Sequence, residues 1–204
     1  MTRVNSVQVG FALDLGKCVG CGACVLACRI ENRPPGGLSW RRVVPLNLAR
    51  YGGGPTYHFS LACHHCEKPP CRDACPTGAL EKQSDGVVLL HSDRCIGCRY
   101  CEMACPFGAP TYDTEGGVMT KCHLCHPRLD QGLSPACVTA CPTGALTFDQ
   151  AGEGGSGEEI PGFCDPAGAG PSLRLSMSGG DLRGAKREEL KAAVAREEGS
   201  HDPS

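Results

Sequence analysis

The stretch Cys95–Pro110, CIGCRYCEMACPFGAP, places four thiols within eleven residues at gaps of two, two and three, and sets Pro106 after the last. The same plan recurs along the chain. Cys18, Cys21, Cys24 and Cys28 repeat the gaps two, two, three; Cys63, Cys66, Cys71 and Cys75 read two, four, three; Cys122, Cys125, Cys137 and Cys141 read two, eleven, three. Every group opens on Cys-x2-Cys and closes on x3-Cys, so only the middle gap varies, the mark of an internal repeat with one adjustable loop. The residues after the fourth cysteine repeat as well. CPTGAL stands at Cys75–Leu80 and again at Cys141–Leu146, CPFGAP at Cys105–Pro110, and only the first group departs, carrying Arg29 in place of proline.

Ordinary apolar burial has little material here. The 204 residues include 28 glycines, 16 prolines and one tryptophan, Trp40, and only 5% are aromatic, so the 17 cysteines must supply cohesion that a core would otherwise provide. Disulfides, zinc and iron–sulfur clusters compete for them. An exported disulfide framework fits poorly: the count is odd, and the stretch before Cys18 lacks an apolar h-region and a small-residue cleavage site. The pair Arg41-Arg42 has no apolar run behind it and reads as a basic surface patch, not as a twin-arginine signal. No run approaches the roughly eighteen apolar residues of a membrane span, so the chain reads as soluble. A formal net charge of −2 offers no basic field for nucleic acid.

Paired Cys-x2-Cys units are also a zinc pattern, but tetrahedral zinc seldom takes three ligands at two-residue gaps plus a fourth, as groups one and three would require. Iron–sulfur chemistry fits the spacing. A C-x2-C-x2-C-x3-C-P run holds 4Fe-4S clusters with three cysteines on one cluster and the fourth on another. Three thiolates close together wrap one cube, and proline after the fourth fixes φ where the chain turns toward the next. Gly20, Gly22 and Gly97 suit a loop that hugs a cluster with its N–H groups near sulfur. His64, His65, His123 and His126 are expected at the surface or around the clusters rather than as ligands, since sixteen thiols suffice for four clusters. Cys164 stands outside the groups and reads as a free structural cysteine.

The fold class expected is α+β, with two interleaved ferredoxin-like modules, a loop-rich insertion and an extended C-terminal tail. Val7–Asp14 alternates as a strand, residues 78–95 hold a Ser-Asp-Gly turn and a Val-Val-Leu-Leu run that read as a hairpin, and GALTFD at 144–149 reads as a matching strand. Short helices should begin near the third cysteine of each group. Residues 1–149 form the cluster-binding region. Within it the insertion 32–60, with Trp40, Arg41, Arg42, Arg50, Tyr51 and Tyr57, leans toward partner contact. Residues 150–204 form a partner-binding or disordered tail, in which 181–198 could be a charged, solvated helix.

The segments ACHHCEKPPCRDACPTGAL (62–80), DRCIGCRYCEMACPFGAP (93–110) and TKCHLCHPRLDQGLSPACVTACPTGAL (120–146) closely resemble the four-cluster electron-transfer subunit of the molybdopterin oxidoreductases, of the dimethyl sulfoxide and polysulfide reductase type. The likeness runs from about Gly10 to Asp149. HPRLDQGLSPAC is its most specific element, and IPGFCDPAGAGPSLRL (160–175) a weaker one. The resemblance implies a non-catalytic subunit that conducts single electrons through four 4Fe-4S clusters, between a catalytic subunit with a molybdenum or tungsten bis-pyranopterin and a multispan membrane anchor. A free-standing polyferredoxin carrier is the alternative. It also implies a ligand scheme: Cys63, Cys66, Cys71 and Cys105 on one cluster, Cys95, Cys98, Cys101 and Cys75 on the next; Cys18, Cys21, Cys24 and Cys141 on a third, Cys122, Cys125, Cys137 and Cys28 on the fourth. Groups two and three then form one module, groups one and four the other. The nineteen residues and hairpin between Cys75 and Cys95 support the first pairing independently. Membrane association through partners is implied too, on the extracytoplasmic face by export with the catalytic subunit, or alternatively on the cytoplasmic face. With clusters bound the net charge should be nearer about −10, and without them the chain should be unfolded.

Overall fold

The computed structural model describes residues 8–46, 57–151 and 168–178; Arg50, Tyr51, Cys164 and the segment 181–198 lie outside the described residues. In chain order the elements are β1 (Gln8–Asp14), α1 (Ala23–Asn32), β2 (Arg42–Leu46), β3 (Tyr57–Leu61), α2 (Pro70–Asp73), β4 (Leu80–Lys82), β5 (Val88–Leu90), α3 (Tyr100–Ala104), β6 (Thr111–Asp113), β7 (Val118–Thr120), α4 (His126–Leu129), α5 (Ala136–Thr139), β8 (Leu146–Ala151) and β9 (Leu173–Ser176). The fold is α+β, and the helices α1, α2, α3 and α5 each begin at or just before the third cysteine of a group.

The strand read at the N-terminal end is the middle of a three-stranded sheet, ordered β8-β1-β9. Its period-two residues Val9, Phe11 and Leu13, continued by Leu15, all lie at 6% exposure or less, as alternation on a half-buried strand requires. Leu13 stands opposite Leu146 of the antiparallel β8 and Leu175 of the parallel β9. At Gly10 a Cβ would fall 2.2 Å from the Ser172 carbonyl oxygen, so glycine lets the incoming β9 segment approach, and Phe11 N–H donates to that oxygen at 3.1 Å. The hairpin β4-β5 pairs Leu80 with Leu90 and turns at Gly86, φ 90°. A second, β6-β7, pairs Thr111 with Thr120. α1 packs on α5, and α2 on α3.

Two expectations are corrected. The ends of the insertion are not loop: β2 and β3 form an antiparallel ladder from Arg42–Leu61 to Leu46–Tyr57, because Val43, Val44, Tyr57 and Phe59 have strong strand preferences that the glycines between them obscure. Trp40 and Arg41 turn onto the protein's own body, Trp40 donating to Thr120 Oγ1 at 2.6 Å and meeting the His123 ring edge-on at 5.3 Å. Part of the tail also belongs to the body: β9 completes the sheet, and Ala169 and Leu175 are buried, since Leu173 and Leu175 supply the alternation the tail's composition masks.

Candidate iron–sulfur centres

One backbone shape serves all four Cys-x2-Cys openings. The residue before the second cysteine is left-handed each time: Gly20 (φ 69°), His65 (φ 47°), Gly97 (φ 67°) and Leu124 (φ 58°). That turn folds the N–H back on the first thiol, as where Leu124 N–H donates to Cys122 Sγ at 3.4 Å. Glycine meets the demand without strain at two sites. At the others His65 and Leu124, 1% and 0% exposed, are held by burial and, for His65, by a hydrogen bond from Val88 N–H to its Nδ1 at 3.0 Å. The sequence does not announce these two, because neither is a residue that favours φ > 0.

The repeated tails form a second device. In Cys-Pro-x-Gly the N–H of Gly78, Gly108 and Gly144 reaches back to the carbonyl of Cys75, Cys105 and Cys141 at 3.4, 3.3 and 3.3 Å. This is a β-turn with proline at its second position, where its fixed φ fits. The turn gathers donors on the fourth thiol: Thr77 Oγ1 lies 3.6 Å from Cys75 Sγ and Thr143 Oγ1 3.8 Å from Cys141 Sγ, while Leu146 N–H and Ala109 N–H donate to Cys141 Sγ and Cys105 Sγ at 3.4 and 3.5 Å. Group one departs for a physical reason. Cys28 lies inside the ten-residue α1, where a proline at 29 would remove a helical hydrogen bond and clash with the preceding turn. Asn32 takes over, its Nδ2 standing 3.7 Å from Cys28 Sγ and 3.5 Å from Cys125 Sγ.

All sixteen described cysteines are free thiols, and they gather across groups. Cys63, Cys66, Cys71 and Cys105 line one hollow, and Cys18, Cys21, Cys24 and Cys141 another. Cys71 and Cys101 pack with Cys75 and Cys95; Cys98, half-buried, sits on the loop between Cys95 and Cys101. Cys28 feels the charge of Cys125 and Cys137, and Cys122 that of Cys28 and Cys137. Among the described residues no three Cys, His, Asp or Glu side chains converge as on a single ion.

The pattern of the 4Fe-4S dicluster domain matches residues 55–151, and that of the 4Fe-4S binding domain residues 11–31. The B subunit of the anaerobic dimethyl sulfoxide reductase of Escherichia coli (strain K12) is 41% identical over 146 residues, 65% of this chain and 69% of that protein. The protein belongs to this family of iron–sulfur reductase B subunits. The B subunit of the sulfite dehydrogenase of Allochromatium vinosum is 42% identical over 153 residues, 64% of each chain. The B subunit of the tetrathionate reductase of Salmonella typhimurium is 39% identical over 128 residues, 62% of this chain and 51% of that protein.

In this iron–sulfur subunit several buried thiols resist ionisation unaided. Burial, with the neighbouring Cys63, pushes Cys66 and Cys71 up to about 12; burial pushes Cys28 and Cys101 up to about 11, and Cys122 higher still. Iron supplies the positive charge that turns such thiols into thiolate ligands. Cys75 and Cys141 are the exceptions: burial raises them, but the threonine hydroxyl and N–H donors of their turns outweigh it and leave both below the ordinary thiol value. Among the described residues two cations, Arg41 and Lys121, are buried and a third, Lys82, is half-buried. Lys121, 3% exposed, donates to the carbonyls of Val88 and Cys122. Lys82 donates to the Cys66 carbonyl at 2.7 Å. Arg41 is 2% exposed. The expected basic patch therefore reaches the surface at Arg42 but not at Arg41. His64 and His65 are likewise buried, His64 pushed down to about 3 by burial and by Arg41 and Arg42, so both stand neutral around the thiols.

Proposed function

We propose that the protein holds four 4Fe-4S clusters in a single row, with each group's fourth cysteine delivered to a neighbouring group, in two interleaved modules. The ligand sets are Cys18, Cys21, Cys24 and Cys141; Cys122, Cys125, Cys137 and Cys28; Cys63, Cys66, Cys71 and Cys105; Cys95, Cys98, Cys101 and Cys75. The carrying observation is the crossed lining of the two hollows, each combining three thiols of one group with the fourth of another. Shared apolar clusters support the order of the row: Cys101 with Cys71, Cys63 with Cys122, and Cys24 with Cys137. When bound, a 4Fe-4S cluster exchanges one electron at a time at a potential set by charge, hydrogen bonds to sulfur and exposure. The protein's part is to grip the clusters, exclude water and point donors at sulfur.

The inner thiols Cys63, Cys66, Cys71, Cys122, Cys125 and Cys137 are buried, whereas Cys21 is exposed and Cys95 and Cys98 half-exposed at the two ends. Exposed apolar side chains flank those ends, Val19 at 63% beside one, Ile96 at 66% and Met103 at 72% beside the other. That supports a partner at each end; in this reading they are a molybdenum- or tungsten-pterin catalytic subunit and a membrane anchor, with the complex on the extracytoplasmic face or, alternatively, the cytoplasmic one. No helix among the described residues is long and apolar enough to cross a membrane. A free-standing carrier is disfavoured by relatives that are named as subunits.

Ligand crossing is tested by electron paramagnetic resonance on the anaerobically purified complex. Cys75→Ser and Cys98→Ser should abolish the same cluster signal, and Cys66→Ser a different one. If Cys75→Ser instead removes the signal lost with Cys66→Ser, the crossed scheme is wrong.

A further inference from the structure

Arg41 is a buried cation. Its side chain lies at 2% exposure, and among the described residues no ion pair includes it. Nη1 donates to Ser60 Oγ at 2.9 Å, and Ser60 Oγ stands 3.4 Å from Cys24 Sγ. The guanidinium carbon sits 4.4 Å above the Phe11 ring centroid, which fixes the plane of the fork. Nη2 is buried and, among the described residues, has no hydrogen-bond partner. Burying a charge is costly unless an opposite charge meets it, and the groups that favour this one are thiols of both sets: Cys24 of the first, and Cys28, Cys122 and Cys137 of the second, with Cys137 within hydrogen-bond reach of Arg41.

We propose that Arg41 is the shared counter-ion of two cluster sites, those of Cys18/Cys21/Cys24/Cys141 and Cys122/Cys125/Cys137/Cys28, and holds both at higher reduction potential than they would otherwise have. The proposal rests on the ligand sets proposed above. Reduction adds one electron, received from the neighbouring carrier, to a site already negative with four thiolates, and no proton or bond need change at Arg41. A buried cation among the thiols favours the more negative, reduced form, and a donor turned to sulfur acts in the same direction. The position between two sets makes the effect double. Ser60 orients the guanidinium, and its hydroxyl carries the influence to Cys24.

The test is potentiometric titration of the holo complex, monitored by electron paramagnetic resonance, with Cys21→Ser and Cys125→Ser assigning the two couples. In Arg41→Gln those two couples should each lose about tenfold in the equilibrium constant of reduction, about 59 mV for one electron, while the other two move less than about threefold. Arg41→Lys should recover most of the loss. Four unmoved couples, an equal shift in all four, or no recovery with lysine would overturn the proposal. Should Arg41→Gln assemble without iron at these sites, Ser60→Ala decides: a downward shift of the Cys18-set couple alone supports the proposal, and no shift overturns it. If Cys21→Ser and Cys125→Ser report ligand sets other than those assigned, it is the ligand scheme that fails, not the role of the charge.

Discussion

Around Cys18–Cys28 and Cys122–Cys141 the thiols lean on a three-stranded sheet, and Val9, Phe11, Leu13, Leu15, Leu146 and Leu175 form a continuous apolar cluster with Cys24 and Cys137. Around Cys63–Cys75 and Cys95–Cys105 the strands are three-residue pairs, and the apolar cluster consists of Leu80, Val88 and Met119 with Cys71 and Cys101. Both halves repeat one thiol pattern, yet the first has a core beside its cluster sites and the second has the cluster sites as its core. Short ladders do not stand alone in water, so what holds the second half, beyond the Val87 and Leu89 side chains its hairpin lends to the first cluster, is whatever bridges its thiols. Metal dependence should therefore be unequal along one chain.

Iron removal gives the largest effect. After anaerobic chelation the amides of β4 to β7 should exchange without protection, while those of β1 and β8 keep a measurable remnant, and the cooperative melt of the holoprotein should be lost. Equal protection in both halves would erase the contrast. Next comes the core itself. Leu13, 0% exposed between Leu146 and Leu175, should cost about 2–5 kcal/mol as Leu13→Ala, read as a lower melting temperature of the holoprotein with the signals of the Cys63 and Cys95 sets intact. If iron is instead lost first from those two sets, the halves are coupled more tightly than their packing indicates.

A finer comparison uses the same position in both halves. Gly20 and Gly97 share a left-handed φ of 69° and 67°, so alanine costs each about 1–2 kcal/mol in backbone strain. They differ in what a Cβ meets. At Gly20 it is the His58 ring at 2.3 Å, a side chain able to swing aside; at Gly97 it is the Gly117 carbonyl oxygen at 2.3 Å, which belongs to the β6-β7 turn. Gly97→Ala should lose iron from its site under mild chelation before Gly20→Ala does from its own, and iron retention in time-resolved chelation measures it. The reverse order would show that the β6-β7 turn yields more easily than an imidazole.

The thiol spacing and the alternation of Val9, Phe11 and Leu13 are local patterns, and they made the four groups, the sheet and the hairpin at Gly86 legible in sequence. What stayed hidden depends on contacts between distant segments. Arg41 reads as half of a surface pair until β2 carries it under the Phe11 ring; Ser60 and Asn32 look ordinary until they stand beside Cys24, Cys28 and Cys125. Arg29 looked like a lapse in the repeat and is instead the consequence of a helix that continues past its fourth cysteine. The threonines of CPTGAL were visible as repetition, but only the turn shows that their hydroxyls reach sulfur.

The smallest effect concerns β9. Asp149 stands opposite Gly10 and Arg174 opposite Ala12, on the same face of the middle strand. Those small residues leave a shallow path by which the two charged side chains meet across β1. Both are nearly half exposed, so water screens the pair and its contribution should be below about 1 kcal/mol. Leu175, 4% exposed against the apolar cluster, has no such competition from solvent. Asp149→Asn should accordingly leave the exchange protection of the β1-β9 amides within error of the parent, whereas Leu175→Ala should release them. Were the asparagine variant to free the strand, the tail would be held to this half by charge rather than by its share of the core, and high salt should then detach it as well.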